Sequence, residues 1–112
     1  MKLWTKEIKE IAIQNRSNFC GKLGMKSRVI VKYFNPYGRG VWLITEAKKQ
    51  SNGDWLLYGY FNIFHWEWGS VLLSDLQKIK FDIFGQKRGL ERDPAVGDSA
   101  TVEELVCQFS SL

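Results

Sequence analysis

Four segments of the chain are rich in apolar, aromatic and β-branched residues, as expected for the strands of an antiparallel sheet. The segments span residues 28–34, 41–46, 54–64 and 68–73. The third is the longest and has two largely apolar faces, which predicts a central strand covered on both sides. Turn residues separate the first three segments: Asn35-Pro-Tyr-Gly-Arg-Gly40 and Ser51-Asn-Gly-Asp54.

The two ends of the chain instead show the period of an amphipathic helix. Thr5 is a predicted N-cap, and Thr101-Val-Glu-Glu104 fits a capping box. The apolar residues after each cap share one helix face: Ile8, Ile11 and Ala12 in the first helix, and Val102, Leu105, Val106 and Phe109 in the second.

The segment between the fourth strand and the C-terminal helix has a weaker pattern. Ser74-Asp75 is predicted to cap a short helical turn, and Phe81, Ile83 and Phe84 to form a buried patch or short strand within residues 80–98. The predicted fold class is α+β: one domain over residues 1–112, with a single antiparallel sheet of about four to five strands. An N-terminal and a C-terminal helix pack on that sheet.

Basic residues are concentrated near the start of the chain. Of a net charge of +4, residues 1–32 hold eight Lys and Arg against two Glu. A basic face attracts nucleic acid or an acidic protein surface, although a solvated surface is the simpler interpretation. The candidate nucleic-acid contacts are Lys22, Lys26, Arg28 and Lys32.

No residue pattern predicts catalysis, a metal or a cofactor. His65 is the single histidine and lies near no nucleophile motif, while Cys20 and Cys107 form no C-x-x-C pair. The carboxylates lack EF-hand spacing. Glu91, Arg92 and Asp93 could support a metal-dependent enzyme, but an ion-pair motif holding the 80–98 loop is the simpler interpretation. We therefore expect a protein that is not an enzyme.

The densest aromatic region carries the candidate contact surface. Residues 55–68 hold seven of the sixteen aromatic residues. Strand alternation would put Trp66 and Trp68 on one face, where they either cover the sheet rim or form an exposed anchor for a partner. The residues predicted to bind a partner are Trp66, Glu67, Trp68, Arg39, Lys48 and Lys49.

Five segments, taken in order, resemble the family called domain of unknown function 2958. The family's Leu-x-Thr-Lys-Glu start, its Val-Val-Lys-Phe-Phe-x-Pro strand and its Trp-x-x-Thr-Glu strand are matched by residues 3–7, 30–36 and 42–46. Residues 69–76 resemble its Gly-x-Val-Ser-Leu-x-Glu-Leu segment. Gly89-Leu-Glu-Arg-Asp93 approximates its Gly-Leu-x-x-Glu-Arg-Asp motif but lacks the two residues between Leu and Glu.

Residues 1–7 carry charges where a signal peptide needs its apolar run, so a cytoplasmic protein is expected. The family resemblance implies a protein carried by bacterial plasmids, phages or integrative elements, with no established enzyme activity. Small proteins of such elements often act by binding. The expected function is binding to a host protein or ribonucleoprotein, one candidate being inhibition of a defence system such as CRISPR–Cas through a Cas effector. The alternative is a basic nucleic-acid-binding accessory protein. No membrane contact is expected, since no apolar run approaches the roughly 20 residues that span a bilayer.

Overall fold

A five-stranded antiparallel sheet forms the centre of the molecule in the computed structural model, which describes residues 2–14, 24–93 and 100–110. From one edge to the other, its strands are Trp66–Leu72, Trp55–Asn62, Val41–Lys49, Val31–Phe34 and Glu91–Arg92. The predicted α+β class and sheet are therefore confirmed. The elements in chain order are α1 (Lys6–Gln14), β1 (Val31–Phe34), β2 (Val41–Lys49), β3 (Trp55–Asn62), β4 (Trp66–Leu72), α2 (Leu73–Lys78), β5 (Lys80–Ile83), β6 (Gln86–Gly89), β7 (Glu91–Arg92) and α3 (Val102–Ser110).

Apolar residues cover the sheet on both faces, as the two apolar sides of the third strand predict. On the α1 face, Leu57 and Phe61 pack with Ile44 under the apolar stripe of α1 and with Leu76 of α2. On the α3 face, residues of β2 pack against the C-terminal helix. The α3-face core consists of Val29, Val41, Leu43, Val102 and Leu105. The side chain of Phe109, predicted to join this stripe, lies outside the described residues.

Strands β2 and β3 approach each other unusually closely at Gly59. Their register shifts between Ile44 and Glu46, where Thr45 contributes the extra residue of a β-bulge. An ideal Cβ on Gly59 would lie 1.9 Å from the carbonyl oxygen of Leu43, so only glycine fits this position. Gly69 of β4 lies directly across from Gly59 and has no such constraint, because a Cβ there would lie 3.7 Å from the ring of Phe61.

Helices α1 and α3 begin with the threonine N-caps predicted for them. The Thr5 hydroxyl oxygen accepts a hydrogen bond from the Ile8 amide at 3.2 Å, and the Thr101 hydroxyl oxygen accepts one from the Glu104 amide at 3.3 Å. The predicted cap of α2 is wrong. This helix begins at Leu73, and its N-cap residue is Leu72, whose side chain forms no capping hydrogen bond.

Asp54, twenty residues earlier, binds the start of α2 instead. Its carboxylate accepts hydrogen bonds from the Ser74 hydroxyl at 2.6 Å and from the Ser74 amide at 3.2 Å. The same carboxylate accepts one from the Trp55 amide at 2.8 Å. These bonds, above all the one from the Ser74 hydroxyl, hold the pKa of Asp54 below its ordinary value. The β2–β3 turn is thus tied to the end of β4.

Strands β5 and β6 form a separate two-stranded hairpin. The predicted short strand is confirmed for Phe81 and Ile83, but Phe84 is fully exposed, contrary to its predicted burial. Phe84 and Gly85 form the two-residue turn, with φ of 51° and 82°, and this turn directs the Phe84 ring into solvent. The ring of Tyr37 lies 5.8 Å from that of Phe81 and links the hairpin to the β1–β2 turn.

Candidate binding surface

Four aromatic rings form a continuous stack on the α3 face of β3 and β4. The ring centroids of Tyr60 and Trp66 are 5.0 Å apart with planes 12° from parallel. Those of Tyr58 and Trp68 are 5.8 Å apart at 13°, and those of Tyr60 and Trp68 are 4.7 Å apart at 38°. We call Tyr58, Tyr60, Trp66 and Trp68 the aromatic ladder.

The ladder arises from strand register. Tyr60 lies directly opposite Trp68, and diagonal neighbours in an antiparallel pair are within reach of aromatic side chains. Strand β4 begins at Trp66, so both indoles occupy the same face, as alternation requires. All four ladder residues are half-buried, and Tyr60, Trp66 and Trp68 pack against the α3-face core. Glu46, which lies opposite Tyr58 on β2, is a buried carboxylate to which no sequence pattern assigned a role.

Exposed apolar residues extend the ladder at one end of the sheet. The turns at residues 35–40 and 63–65 lie together there, since Val41 pairs with Asn62. We call this the turn end. Phe64 is 81% exposed and Ile63 is 44% exposed. The two turns border a groove of about 460 Å³ that Lys32, Phe34 and Arg39 also line.

The predicted partner-binding residues do not form one cluster. Trp66, Trp68 and the exposed Arg39 are near the turn end, and Glu67 faces the opposite side of β4, with an oxygen 3.5 Å from Nε2 of His65. Lys48 and Lys49 lie at the far end of β2, roughly 23 Å from Val41 for seven residues of strand. They line another groove, of about 570 Å³, beside Lys9 and Trp55.

Three of the four candidate nucleic-acid contacts lie among the described residues, each in a different local setting. Lys26 is exposed in the 3-10 turn Gly24–Lys26, and Arg28 is half-buried at an isolated bridge to Thr101. Lys32 Nζ lies 3.7 Å from an Asp93 oxygen and 6.0 Å from the centroid of the Phe34 ring. Lys22 lies outside the described residues.

The Glu91-Arg92-Asp93 motif contacts strand β1 and the N-terminal residue Lys2. Glu91 and Arg92 form β7, which pairs with Phe34 and Tyr33 of β1. The Arg92 Nε donates a hydrogen bond to the Lys2 carbonyl at 3.1 Å, and the Asp93 amide donates one to the Lys32 carbonyl at 3.0 Å. These contacts give the motif a structural position at the sheet edge, in addition to the predicted ion-pair role.

Two further features bear on chemistry. Across residues 2–14, 24–93 and 100–110, no three His, Cys, Asp or Glu side chains come close enough together to hold a metal ion. Within the same ranges, no helix has the length and apolar character needed to cross a bilayer.

Sequence reasoning identified the two indoles but missed their stacking partners and the exposed turn residues. The signal for Tyr58 and Tyr60 was their spacing on one face of β3, opposite Trp68 once the register is known. Phe64 was assigned to the third strand, but this strand ends at Asn62.

Comparison with known proteins identifies the chain at the level of its family. No curated protein and no solved structure matched it. A family model described as "Protein of unknown function (DUF2958)" matches residues 3–106, which extends the resemblance seen at residues 3–93 into α3. The chain therefore belongs to the DUF2958 family.

Proposed function

We propose that this protein acts by binding a partner through the aromatic ladder and the adjoining turn residues Ile63 and Phe64, without catalysing a reaction. The observation that carries the proposal is the stacked, half-exposed ladder, whose Trp66 begins β4 two residues after Phe64, a turn residue that is 81% exposed. Aromatic residues dominate the energy of protein interfaces.

The arrangement of the rings supports binding. Each ring is held by a neighbour at a centroid distance of 4.7–5.8 Å, so little side-chain freedom remains to be lost on association. Arg39 adds an exposed cation beside the apolar turn, and arginine is enriched at interface hot spots. Such a surface suits a partner that presents an apolar patch with acidic groups at its border.

The partner we propose is a host protein or ribonucleoprotein, and inhibition of a host defence complex such as a Cas effector is the leading candidate. This setting rests on the mobile-element association that the family resemblance implies. Occupying a partner's surface would be sufficient for inhibition, so no active site is required.

Capture from a bacterial host lysate, followed by binding to the purified partner, tests the proposal. Phe64→Ala removes an exposed ring, and Trp66→Ala with Trp68→Ala removes half of the ladder. Each variant should weaken binding by about 30-fold, the effect of losing a hot spot worth roughly 2 kcal/mol. Ile13→Ala is the matched control, because Ile13 is also exposed, at 48%, but lies on α1 at the other face. Unchanged binding by folded ladder and Phe64 variants would refute this surface.

A nucleic-acid-binding accessory function is the second candidate, favoured by the groove at the turn end. Lys32 and Arg39 share this groove with Phe34 and Phe64, and its lining contains no acidic residue. Single-stranded nucleic acid binds to such combinations of cations and aromatic faces. Fluorescence anisotropy with a labelled 20-nucleotide single strand would show affinity that falls steeply between about 50 mM and 200 mM salt. Affinity that does not change with salt would eliminate this function.

A further inference from the structure

The two edges of the five-stranded sheet differ sharply. One edge is β7, a strand of two residues, so little of its backbone is available for pairing. The other edge is β4, which has seven residues and pairs on one side only within the described structure. Alternate residues of such a strand turn their amide and carbonyl groups away from the sheet, where they can bind another strand.

Strand β4 lacks the usual features that prevent edge pairing. Natural edge strands carry lysines, prolines or bulges, or are very short. The sequence of β4 is Trp-Glu-Trp-Gly-Ser-Val-Leu, with Glu67 as its single charge and no proline. Its register with β3 is continuous from Leu56 opposite Leu72 to Asn62 opposite Trp66. The edge is therefore long, free of bulges and largely apolar.

We propose that β4 pairs with β4 of a second copy of this chain, in antiparallel orientation about a two-fold axis at Gly69. Gly69 is the middle residue of Trp66–Leu72, so this register alone pairs all seven residues. The resulting dimer would contain one continuous ten-stranded sheet. The cross-copy pairs would be Trp66 with Leu72, Glu67 with Val71, Trp68 with Ser70, and Gly69 with Gly69.

The chemistry of these pairs favours a second copy as the occupant. The single charge, Glu67, would face Val71 of the other copy and not another carboxylate, because like charges directly opposite destabilise a strand pair. On the α3 face, each indole would lie opposite Leu72 or Ser70, with no bulky pair in conflict. At the axis, two glycines would meet without side chains.

This inference goes beyond partner binding and does not depend on it. Pairing uses the backbone edge of β4, whereas the proposed partner surface is the face formed by the ladder rings. Antiparallel pairing keeps equivalent faces on the same side. The dimer would therefore place two aromatic ladders side by side on one surface, and a monomeric protein would leave the partner-binding proposal unchanged.

Sedimentation velocity of the wild-type chain from about 1 μM to about 200 μM tests the dimer, since an interface this small is expected to have a dissociation constant in the micromolar range. The mass should rise from 13.0 kDa toward twice that value. Hydrogen exchange at the high concentration should slow selectively in residues 66–72. A monomer at every concentration, or slower exchange in other elements only, would overturn the proposal.

A matched pair of charge variants tests the register. Val71→Glu would place two carboxylates opposite each other twice in the dimer, whereas Val71→Lys would place an ammonium opposite Glu67 twice. We expect Val71→Glu to weaken association at least tenfold and Val71→Lys to retain or strengthen it. Both variants put a charge at the same half-buried position, so their cost to folding is similar. Equal weakening by both would refute the proposed register.

Discussion

The close approach of β2 and β3 at Gly59 predicts a large loss of stability from the smallest possible substitution. Gly59→Ala adds one methyl group, and its Cβ would lie 1.9 Å from the Leu43 carbonyl oxygen and 3.0 Å from the Ile44 Cα. Both contacts are with backbone atoms of a neighbouring strand, so no side-chain rotation can relieve them.

The magnitude follows from the displacement required. Real Cβ contacts are essentially never under 3.0 Å, so the strands must separate locally by about 1 Å. A ladder hydrogen bond of about 2.9 Å would then exceed the distance at which such bonds persist. Each buried backbone group that loses its partner costs about 1–3 kcal/mol. Two flanking hydrogen bonds give a loss of roughly 2–6 kcal/mol, against a typical total stability of about 5–15 kcal/mol.

Urea unfolding of dilute protein, followed by tryptophan fluorescence, measures this effect. Gly69→Ala is the matched control, since Gly69 faces Gly59 across the β3–β4 ladder but has room for a Cβ 3.7 Å from the Phe61 ring. We expect Gly69→Ala to change the free energy of unfolding by less than about 0.5 kcal/mol. If Gly59→Ala were as stable as wild type, the close approach of β2 and β3 at Gly59 would be refuted.

Three further predictions concern single side chains. Asp54→Asn should lower the urea midpoint at pH 7, because the variant loses the carboxylate that accepts the Ser74 hydroxyl bond. This bond lowers the pKa of Asp54, so protonation of the carboxylate in wild type should shrink the difference between the two proteins below pH 3.8. A difference that stays constant across pH would contradict this. Tyr33→Phe should cost about 1–3 kcal/mol in urea unfolding, because it leaves the buried carbonyl partner of the Tyr33 hydroxyl, on Leu3, unpaired. Burial raises the pKa of Tyr33 in the folded state, so above pH 10.0 the unfolded chain loses the Tyr33 proton first. The free energy of unfolding of wild type should therefore fall as pH rises above 10.0, and the Phe variant should lack this contribution. Phe84 has a left-handed backbone conformation, with φ of 51°, which asparagine tolerates better than phenylalanine or alanine. Phe84→Asn should therefore relieve about 1 kcal/mol of backbone strain and raise the urea midpoint, whereas Phe84→Ala should not.

The elements with local signals were predictable from sequence. Ser51-Asn-Gly-Asp54 marked the β2–β3 turn, and Thr5 and Thr101 marked the starts of two helices, because turn and capping preferences act within four residues. Alternation also assigned the two indoles to one face. These signals depend on near neighbours in the chain, and the structure preserves them.

Features that depend on distant residues were not predictable. Asp54 caps α2 from across the sheet, and no sequence spacing connects it with Ser74. The bulge at Thr45 and the pairing of β7 with β1 likewise require the assembled sheet. For the candidate surface, sequence indicated Trp66 and Trp68, but the stacking with Tyr58 and Tyr60 depends on the β3–β4 register.

The pairing of β7 with β1 has a consequence for the order of folding. Strands β1 to β4 join neighbours in the chain, so their contacts have low loop-closure cost and can form early. Tyr33 pairs with Arg92, and the Val29 amide donates to the Ala100 carbonyl, so these contacts close loops of about sixty to seventy residues. Until they form, Val41 and Leu43 lack the cover that Val102 and Leu105 provide. During synthesis, the α3 face of the nascent sheet would stay open until α3 has left the ribosome.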